Sequence, residues 1–340
     1  MNDRQDDQRD GNAAARALVA GVCAGDRRAL ARAITLVEST RPEDAAVAEA
    51  VVEALLPYAG NGLRIAVSGA PGAGKSIFIE AFGLHLVQQG HRVAVLAIDP
   101  SSPRSGGAIL GDKTRMDRLA RDERAFIRPT PSAGTLGGVA LATGEAITLV
   151  EAAGFDRVLV ETVGVGQSET AAADLTDMFL LLVAPGSGDE LQGVKRGIVE
   201  LADLIVVTKG DGDLKPAAGR VAADYHAALG LMRGAVPGWT PRVERCSAFT
   251  GEGIPRIADA IEAFRAATAG WRDRLRAEQA RRGLDRALAD AIDRALGADA
   301  RLAGLRAALE AEVASGRRGP RAAARALVAG LLDRDASGSA

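Results

Sequence analysis

A short glycine-rich segment has the residue types and the spacing that bind a triphosphate. The pattern G-x-x-x-x-G-K-S is matched in full by Gly69, Ala70, Pro71, Gly72, Ala73, Gly74, Lys75 and Ser76. Glycines let such a loop curl until successive backbone N–H groups point at phosphate oxygens. The lysine of the pattern reaches the β- and γ-phosphates, and the serine hydroxyl ligates Mg²⁺. The segment therefore predicts a nucleotide-binding phosphate loop (P-loop) in which Lys75 is catalytic and Ser76 is a metal ligand.

A second motif predicts which base this site binds. Thr208, Lys209, Gly210 and Asp211 follow the apolar run 204–207, at the edge where such a sheet binds ligands. An aspartate there accepts hydrogen bonds from N1–H and the exocyclic amine of guanine, whereas adenine leaves the carboxylate unpaired. The stem of Lys209 packs along the purine plane. The motif predicts GTP and GDP as ligands, with Thr208, Lys209 and Asp211 as binding residues.

A short segment near the end of the alternating region is a candidate for a second base-contact loop. Ser247 and Ala248 come after Cys246, which ends the last short candidate strand near 242–246. We expect backbone N–H groups of this segment to contact the base. Its position after Asp211 in the chain supports this assignment, so Ser247 and Ala248 join the predicted nucleotide-binding residues.

Three acidic residues are candidates for organising a metal ion and water. Asp99 and Glu161 each end an apolar run, and Asp112 lies in a glycine-containing loop. Carboxylates at the carboxyl ends of parallel strands reach Mg²⁺ directly or through water. We therefore predict Asp99, Asp112 and Glu161 as catalytic residues and magnesium ligands. The N–H group of Gly164, in the flexible loop after Glu161, is predicted to contact the γ-phosphate, so that loss of this phosphate releases the loop.

A parallel sheet would bring these residues together. The candidate strands are near-continuous apolar runs, as expected for strands buried on both faces, and helical patterns lie between most of them. They span 63–68, 93–98, 157–160, 178–183 and 204–208, with a shorter one near 242–246. The alternation predicts an α/β fold, namely a P-loop NTPase with a mostly parallel, doubly wound sheet.

Helical patterns on either side of the sheet region suggest four divisions of the chain. Residues 1–60 form a predicted N-terminal helical region, and residues 61–268 form the nucleotide-binding domain. Residues 269–334 show helical periodicity without strands, which suits either packing on their own domain or a dimerisation arm. The polar tail 335–340 is predicted to be disordered.

Composition favours a soluble, intracellular protein. The chain has 340 residues, of which 47% are hydrophobic and 25% are charged, with a net charge of −2. Such a balance indicates neither a nucleic-acid partner nor a membrane surface. The two cysteines are far apart in sequence, which argues against a disulfide framework. An uninterrupted run of about 18 apolar residues is missing, as is a signal-peptide pattern, so we predict a cytoplasmic location.

Taken together, these motifs resemble the MeaB family of GTPases, also called ArgK, or MMAA in animals. The most specific segments are 97–102, 109–116, 161–167 and 188–195. The resemblance implies a homodimeric SIMIBI-class GTPase that escorts an adenosylcobalamin-dependent acyl-CoA mutase, most often methylmalonyl-CoA mutase. Members of the family gate cofactor loading and protect the mutase from inactivation.

The resemblance also implies roles for segments that chemistry alone does not assign. The loop 186–196 matches the third switch of the family, which couples GTP hydrolysis to the partner. The implied switch and partner-coupling residues are Gln167, Asp189, Glu190, Lys195 and Arg196. Residues 269–334 match the dimerisation arm. Two positions depart from the family pattern, because Thr208 replaces the usual Asn and Ile77 stands where Thr is usual.

Two other functions remain open. A nickel-insertion metallochaperone GTPase has a similar fold but requires a Cys/His cluster, and the cysteines and histidines of this chain show no ligand spacing. An ATP-dependent kinase linked to amino-acid transport predicts a preference for adenine, which Asp211 opposes. Because the motifs supply no complete hydrolytic set within the chain, we expect slow intrinsic GTP hydrolysis that a partner raises.

Overall fold

The computed structural model describes residues 3–98, 116–130, 136–162, 168–186, 196–230, 234 and 236–337. Met1–Gln279 form one compact unit and Ala280–Ala340 form a second. The first unit contains the central sheet and the described residues of the predicted site. The predicted domain limits near residues 60, 268 and 334 remain predictions.

A seven-stranded sheet forms the centre of the first unit. Its strands, in chain order, are β1 (Leu63–Gly69), β2 (Val93–Ile98), β3 (Ala125–Thr130), β4 (Arg157–Thr162), β5 (Met178–Val183), β6 (Leu204–Val207) and β7 (Arg242–Arg245). Their spatial order is β3-β2-β4-β1-β5-β6-β7, and every pairing between neighbours is parallel. The predicted α/β architecture of a P-loop NTPase is therefore confirmed, and the described sheet is entirely parallel. Parallel strands place all their carboxyl ends at one edge, where ligands bind in such folds.

Strand β3 is absent from the strands that the sequence predicts. Its sequence contains Arg128 and Pro129, which interrupt the apolar run that marks the strands inside the sheet. A proline lacks the N–H group that a central strand needs, but β3 lies at the edge of the sheet and pairs only with β2 among the described strands. The Arg128 side chain pairs with Glu38, so this polar residue fixes the sheet edge to a neighbouring helix.

Helices cover both faces of the sheet in the first unit. They are α1 (Asp3–Cys23), α2 (Arg27–Val37), α3 (Pro42–Leu55), α4 (Lys75–Gln88), α5 (Asp117–Ala120), α6 (Leu136–Ala152), α7 (Ser168–Ala173), α8 (Arg196–Val199), α9 (Lys215–Gly230) and α10 (Ile254–Ala267). Successive residues of a strand face opposite sides, so Ile65 and Val67 belong to one hydrophobic cluster and Ala66 belongs to the other. Helices α1, α2 and α3 pack on α6, on the face that contains Ala66.

The next helix, α11 (Ala269–Ala298), begins in the first unit and ends in the second. Its Arg276 guanidinium donates to both carboxylate oxygens of Asp177, at 2.7 and 2.6 Å. The same side chain donates to the Gly62 carbonyl at 2.6 Å. Asp177 and Gly62 directly precede β5 and β1, so these contacts fix the first part of α11 to the amino-terminal edge of the sheet. This edge is opposite to the one that holds the P-loop.

The second unit contains the remainder of α11, together with α12 (Ala300–Ala314) and α13 (Pro320–Ser337). The Asp299 carboxylate caps α12 by accepting from the N–H group of Arg301 at 2.9 Å. Helices α12 and α13 pack together, and Leu302 and Leu309 are buried there. Among the described residues, none of the helices is long and apolar enough to span a bilayer.

Candidate functional site

The predicted P-loop connects the end of β1 to the start of α4, as its motif requires. Gly72 and Gly74 have φ angles of +81° and +87°, a region that favours glycine. Gly69 has a different constraint, because a β-carbon built there lies 2.4 Å from the carbonyl oxygen of Leu182 on β5. All three glycines have a positive φ angle, and Gly69 is in addition required for close packing against a neighbouring strand. Gly74 is also the N-cap residue of α4, so the loop ends at a helix N-terminus, which favours anions.

Lys75 holds its ammonium group over this loop. Its Nζ donates to the Gly69 carbonyl at 2.6 Å and to the Ala70 carbonyl at 3.3 Å. Burial lowers the pKa of Lys75, and the negative charges of Glu161 and Glu169 oppose this effect. The ammonium is thus fixed next to the loop that is predicted to bind phosphates.

Ser76 and Glu161 form a pair of oxygen donors next to Lys75. The Ser76 hydroxyl donates to Glu161 Oε1 at 3.2 Å. Strand β4 extends to Thr162, so Glu161 lies within the strand, paired in register with Val67 on β1 and Ala97 on β2. Hydroxyl and carboxylate oxygens are the ligands that Mg²⁺ prefers, so this donor set fits the predicted metal.

Glu169 is a buried acid of this site that the sequence analysis does not single out. It lies in the first turn of α7, which packs against β1 and β4, and its side chain is fully buried. Its negative charge acts to raise the pKa of Lys75, against the larger lowering by burial. Acidic residues are common in the first turn of exposed helices. Its burial and its proximity to Lys75 depend on the packing of α7, which the local sequence does not reveal.

Thr208 connects the base motif to the P-loop. Its hydroxyl donates to the Ala73 carbonyl at 2.7 Å and lies 3.2 Å from the Val183 carbonyl. The Thr208 N–H group donates to the same Val183 carbonyl at 2.8 Å, and the whole residue is buried. A threonine at this position therefore joins the two predicted halves of the site directly.

The segment after Thr208 approaches the base loop at close range. Lys209 is exposed and has a φ angle of 54°, which is a left-handed conformation that is uncommon outside glycine. The Gly210 N–H group donates to the Cys246 carbonyl at 2.9 Å, and a β-carbon on Gly210 would lie 3.1 Å from that oxygen. The turn thus carries the chain from Thr208 to Asp211 along the β7 end of the sheet.

Asp211 and Ser247 are in direct contact. The Ser247 hydroxyl donates to Asp211 Oδ2 and also accepts from the Thr250 N–H group at 3.1 Å. Cys246 is buried beside them, and burial raises the pKa of its thiol to about 12. The sequence predicts backbone contacts to the base from this loop, and the structure adds a side-chain contact that positions the Asp211 carboxylate.

Several predicted site residues lie outside the described residues. They are Asp99, Asp112, Gly164, Gln167, Asp189, Glu190 and Lys195. Arg196 begins α8, but its side chain is also outside the described part. The proposed metal, switch and partner-coupling roles of these residues remain predictions. Within the described part, the structure brings the P-loop, Glu161, Thr208, Asp211 and Ser247 to one edge of the sheet.

Comparison with known protein families gives a match over most of the chain. Residues 30–300 match the model of a family described as methylmalonyl-CoA mutase-associated GTPase MeaB. A putative GTPase of Caulobacter vibrioides is 59% identical over 232 residues, which cover 68% of this chain and 71% of the relative. GTPase ArgK of Escherichia coli is 52% identical over 243 residues, covering 72% of this chain and 73% of the relative.

A mitochondrial protein and a solved structure extend the comparison. The mouse methylmalonic aciduria type A homolog is 53% identical over 257 residues, which cover 73% of this chain. The aligned part spans 62% of the mouse protein. A crystal structure of an LAO/AO transport system kinase matches with a TM-score of 0.73 and 37% sequence identity, covering 94% of this chain and 98% of the other.

Proposed function

The chain belongs to the MeaB family of methylmalonyl-CoA mutase-associated GTPases, and we propose that it hydrolyses GTP as the chaperone of an adenosylcobalamin-dependent acyl-CoA mutase. Methylmalonyl-CoA mutase is the client that we propose first, because the family description contains its name. In this proposal the protein gates the loading of adenosylcobalamin and protects the mutase from inactivation. The observation that carries the proposal is the contact of Thr208 with Ala73, which joins the guanine motif to the phosphate loop.

The described side chains suit phosphoryl transfer to water by positioning and charge neutralisation. Lys75 is fixed beside the P-loop, where its ammonium binds the β- and γ-phosphates. Ser76 and Glu161 would hold Mg²⁺, which neutralises charge on the phosphates when it is bound. We assign Asp99 and Asp112 to the same metal and its water, and Gly164 to the γ-phosphate. Hydrolysis is slow in this scheme until the mutase completes the site.

Asp211 is the residue that we propose as the selector of guanine over adenine. The Ser247 hydroxyl donates a hydrogen bond to one carboxylate oxygen of Asp211 and so fixes the orientation of the carboxylate. In this proposal the remaining lone pairs of the carboxylate face the base. Guanine presents two donors to such a carboxylate, whereas the adenine edge presents an acceptor, so ATP leaves the group unpaired. This selection opposes the alternative of an ATP-dependent kinase.

The exposed apolar side chains of the second unit support a homodimer. Leu284 is 69% exposed, and Leu288 lies one turn further along the same face of α11. On α13, Leu332 is 64% exposed and Val328 precedes it by one turn. Adjacent apolar side chains on exposed helix faces are typical of protein contact sites. We propose that residues 269–334 form the dimerisation arm.

We place the protein in the cytoplasm. Cys23 and Cys246 are both free thiols, which suits a reducing compartment.

Exchanging the selecting carboxylate for an amide tests the nucleotide assignment. An amide offers one acceptor and one donor, which matches N1–H and O2 of xanthine and mismatches the guanine amine. We therefore expect Asp211→Asn to weaken GDP binding about 100-fold and to bind XDP more tightly than GDP. Titration calorimetry with GDP, XDP and ADP measures these affinities. Equal affinities of the wild-type protein for GDP and ADP would refute the guanine assignment.

A further inference from the structure

Phe249 differs from the other phenylalanines of this chain in that its side chain is exposed. The chain has seven phenylalanines, and six of them are buried. Phe249 is 92% exposed, which is more than any other large apolar side chain in the described residues. Leaving an aromatic ring in water is unfavourable, and only 3% of this chain is aromatic. The ring is therefore available to contact a ligand that binds beside this loop.

The loop that carries Phe249 is held in one conformation. The Ser247 hydroxyl accepts from the Thr250 N–H group at 3.1 Å, and the Ser247 carbonyl accepts from the Gly251 N–H group at 2.9 Å. The Ser247 N–H group donates to the Glu252 carbonyl at 2.9 Å. Phe249 thus lies at the tip of a closed turn, two residues from the serine that contacts Asp211.

Because Asp211 is proposed to bind the edge of the purine, the two faces of the ring remain free for other contacts. The carboxylate takes the edge of the base, so contacts to the faces of the ring are left to neighbouring residues of the two segments that meet at Asp211, namely the one with Lys209 and the turn with Phe249. Lys209 is exposed on its own side, in a left-handed conformation. The turn meets Asp211 through Ser247, and its tip presents an aromatic ring two residues further along the chain.

We propose that the Phe249 ring stacks on one face of the guanine base, opposite the stem of Lys209. The inference rests on the proposed function, because it requires a guanine nucleotide at Asp211. Stacking on an aromatic side chain stabilises any base without reading its hydrogen-bonding edge. Phe249 then contributes affinity for the nucleoside part of the ligand, while the P-loop binds the phosphates and Asp211 selects the base.

Ligands with and without a base separate the contribution of the base to binding from that of the phosphates. We expect Phe249→Ala to weaken the binding of GDP and of a non-hydrolysable GTP analogue in parallel, by about tenfold. Binding of inorganic tripolyphosphate, which fills the P-loop without a base, should stay unchanged. The KM for GTP should rise by the same factor while kcat at saturating GTP stays the same, because stacking is equal in the ground state and the transition state.

An aromatic replacement gives a spectroscopic signature. Phe249→Trp should restore GDP affinity, and GDP should quench the fluorescence of the new indole, whereas tripolyphosphate should not. The wild-type protein, which contains Trp239 and Trp271, provides the blank. Tyr58→Ala is the matched control, because Tyr58 is 56% exposed and precedes β1 at the opposite edge of the sheet. This control should bind GDP as the wild-type protein does.

The outcomes distinguish this inference from the function on which it rests. Failure of the wild-type protein to bind GDP would refute the guanine-nucleotide function itself. Unchanged GDP affinity of Phe249→Ala, with normal binding by the wild type, would overturn the stacking role alone. A loss of tripolyphosphate binding equal to the loss of GDP binding would also overturn it, because the substitution would then act on the whole site.

Discussion

At the scale of single residues, Thr208 explains how the two halves of the site are held together. Its hydroxyl donates to the Ala73 carbonyl of the P-loop, and its backbone N–H group donates to the end of β5. A side chain of this length reaches the P-loop because Thr208 directly follows β6 and is itself buried. Thr208, which stands where the family usually has asparagine, therefore connects the base motif to the phosphate loop.

Replacing Thr208 by valine should release the P-loop from the base motif. The substitution keeps the shape of the side chain but leaves the Ala73 carbonyl without this donor, which costs about 1–2 kcal/mol. We expect GDP affinity to fall about tenfold in Thr208→Val, measured by titration calorimetry. Thr208→Ser retains the hydroxyl and should stay close to the wild type. If the valine and serine variants bind GDP equally well, the hydroxyl contact does not position the loop.

Asp203 provides a pH-dependent contribution to stability. It directly precedes β6, and its carboxylate accepts from the Phe179 N–H group at 2.8 Å. Burial raises the pKa of this carboxyl from its ordinary value of 3.8 to about 7, against the effect of that hydrogen bond. The folded protein therefore holds this proton more tightly than the unfolded chain, so stability is lost as the pH rises from about 4 to about 7.

Asp203→Asn should remove this pH dependence. The amide keeps an acceptor for Phe179 and carries no charge, so the variant should gain stability relative to the wild type as pH rises. The expected gain is about 1.4 kcal/mol per pH unit between pH 4 and pH 7. Urea unfolding of both proteins at pH 5, 6, 7 and 8 measures the difference. Parallel stability profiles would show that the Asp203 carboxyl is not perturbed.

A site residue can be predicted from the sequence when it belongs to a contiguous motif. It cannot be predicted when its role depends on packing between elements that are distant in the chain. The P-loop and the Thr208–Asp211 turn are contiguous motifs, and the structure places both at the carboxyl edge of the sheet. Glu169 and the hydroxyl contact of Ser247 act across elements, and contiguous sequence contains no information on such distances. Ser247 itself is predicted from its motif, but Glu169 and the contact of Ser247 with Asp211 could be found only after the strands were in register.

At the scale of elements, strand packing determines the conformation of the P-loop. Strands β1 and β4 end side by side, which brings Glu161 next to Ser76. Six of the seven described strands are predicted. Five of them, β1, β2, β4, β5 and β6, are apolar runs of the sheet interior, whereas β7 is the polar edge strand Arg242–Arg245. Strand β3 could not be predicted in this way, since an edge strand tolerates Pro129 and a polar Arg128.

The packing of β1 against β5 makes Gly69 less replaceable than its neighbours in the loop. Alanine at Gly69 places a β-carbon 2.4 Å from the Leu182 carbonyl, whereas alanine at Gly72 meets no atom within 4 Å. Both positions have a positive φ angle, so both substitutions strain the backbone. We expect Gly69→Ala to lower the free energy of unfolding by about 2 kcal/mol more than Gly72→Ala, measured by urea unfolding. Equal losses of unfolding free energy in the two variants would show that β1 and β5 accommodate the added methyl group without an energetic penalty.

At the scale of the whole molecule, the chain combines a P-loop GTPase unit with a separate helical unit. Contacts of Arg276 with Asp177 and Gly62 fix the start of α11 to the sheet edge opposite the P-loop. The sequence predicts helices after residue 268, but it does not reveal which part of α11 belongs to the first unit, because that depends on long-range ion pairs. The second unit exposes Leu284, Leu288 and Leu332.

We propose that nucleotide hydrolysis by this protein serves a cobalamin-dependent mutase. The most direct measurement is phosphate release from GTP and ATP by the full chain with Mg²⁺, with and without methylmalonyl-CoA mutase carrying adenosylcobalamin. We expect slow hydrolysis of GTP alone, a rise of at least about tenfold with the mutase, and negligible hydrolysis of ATP. The Lys75→Ala variant should abolish both GTP activities. Equal hydrolysis of ATP and GTP, or a GTP rate that the mutase leaves unchanged, would contradict the account.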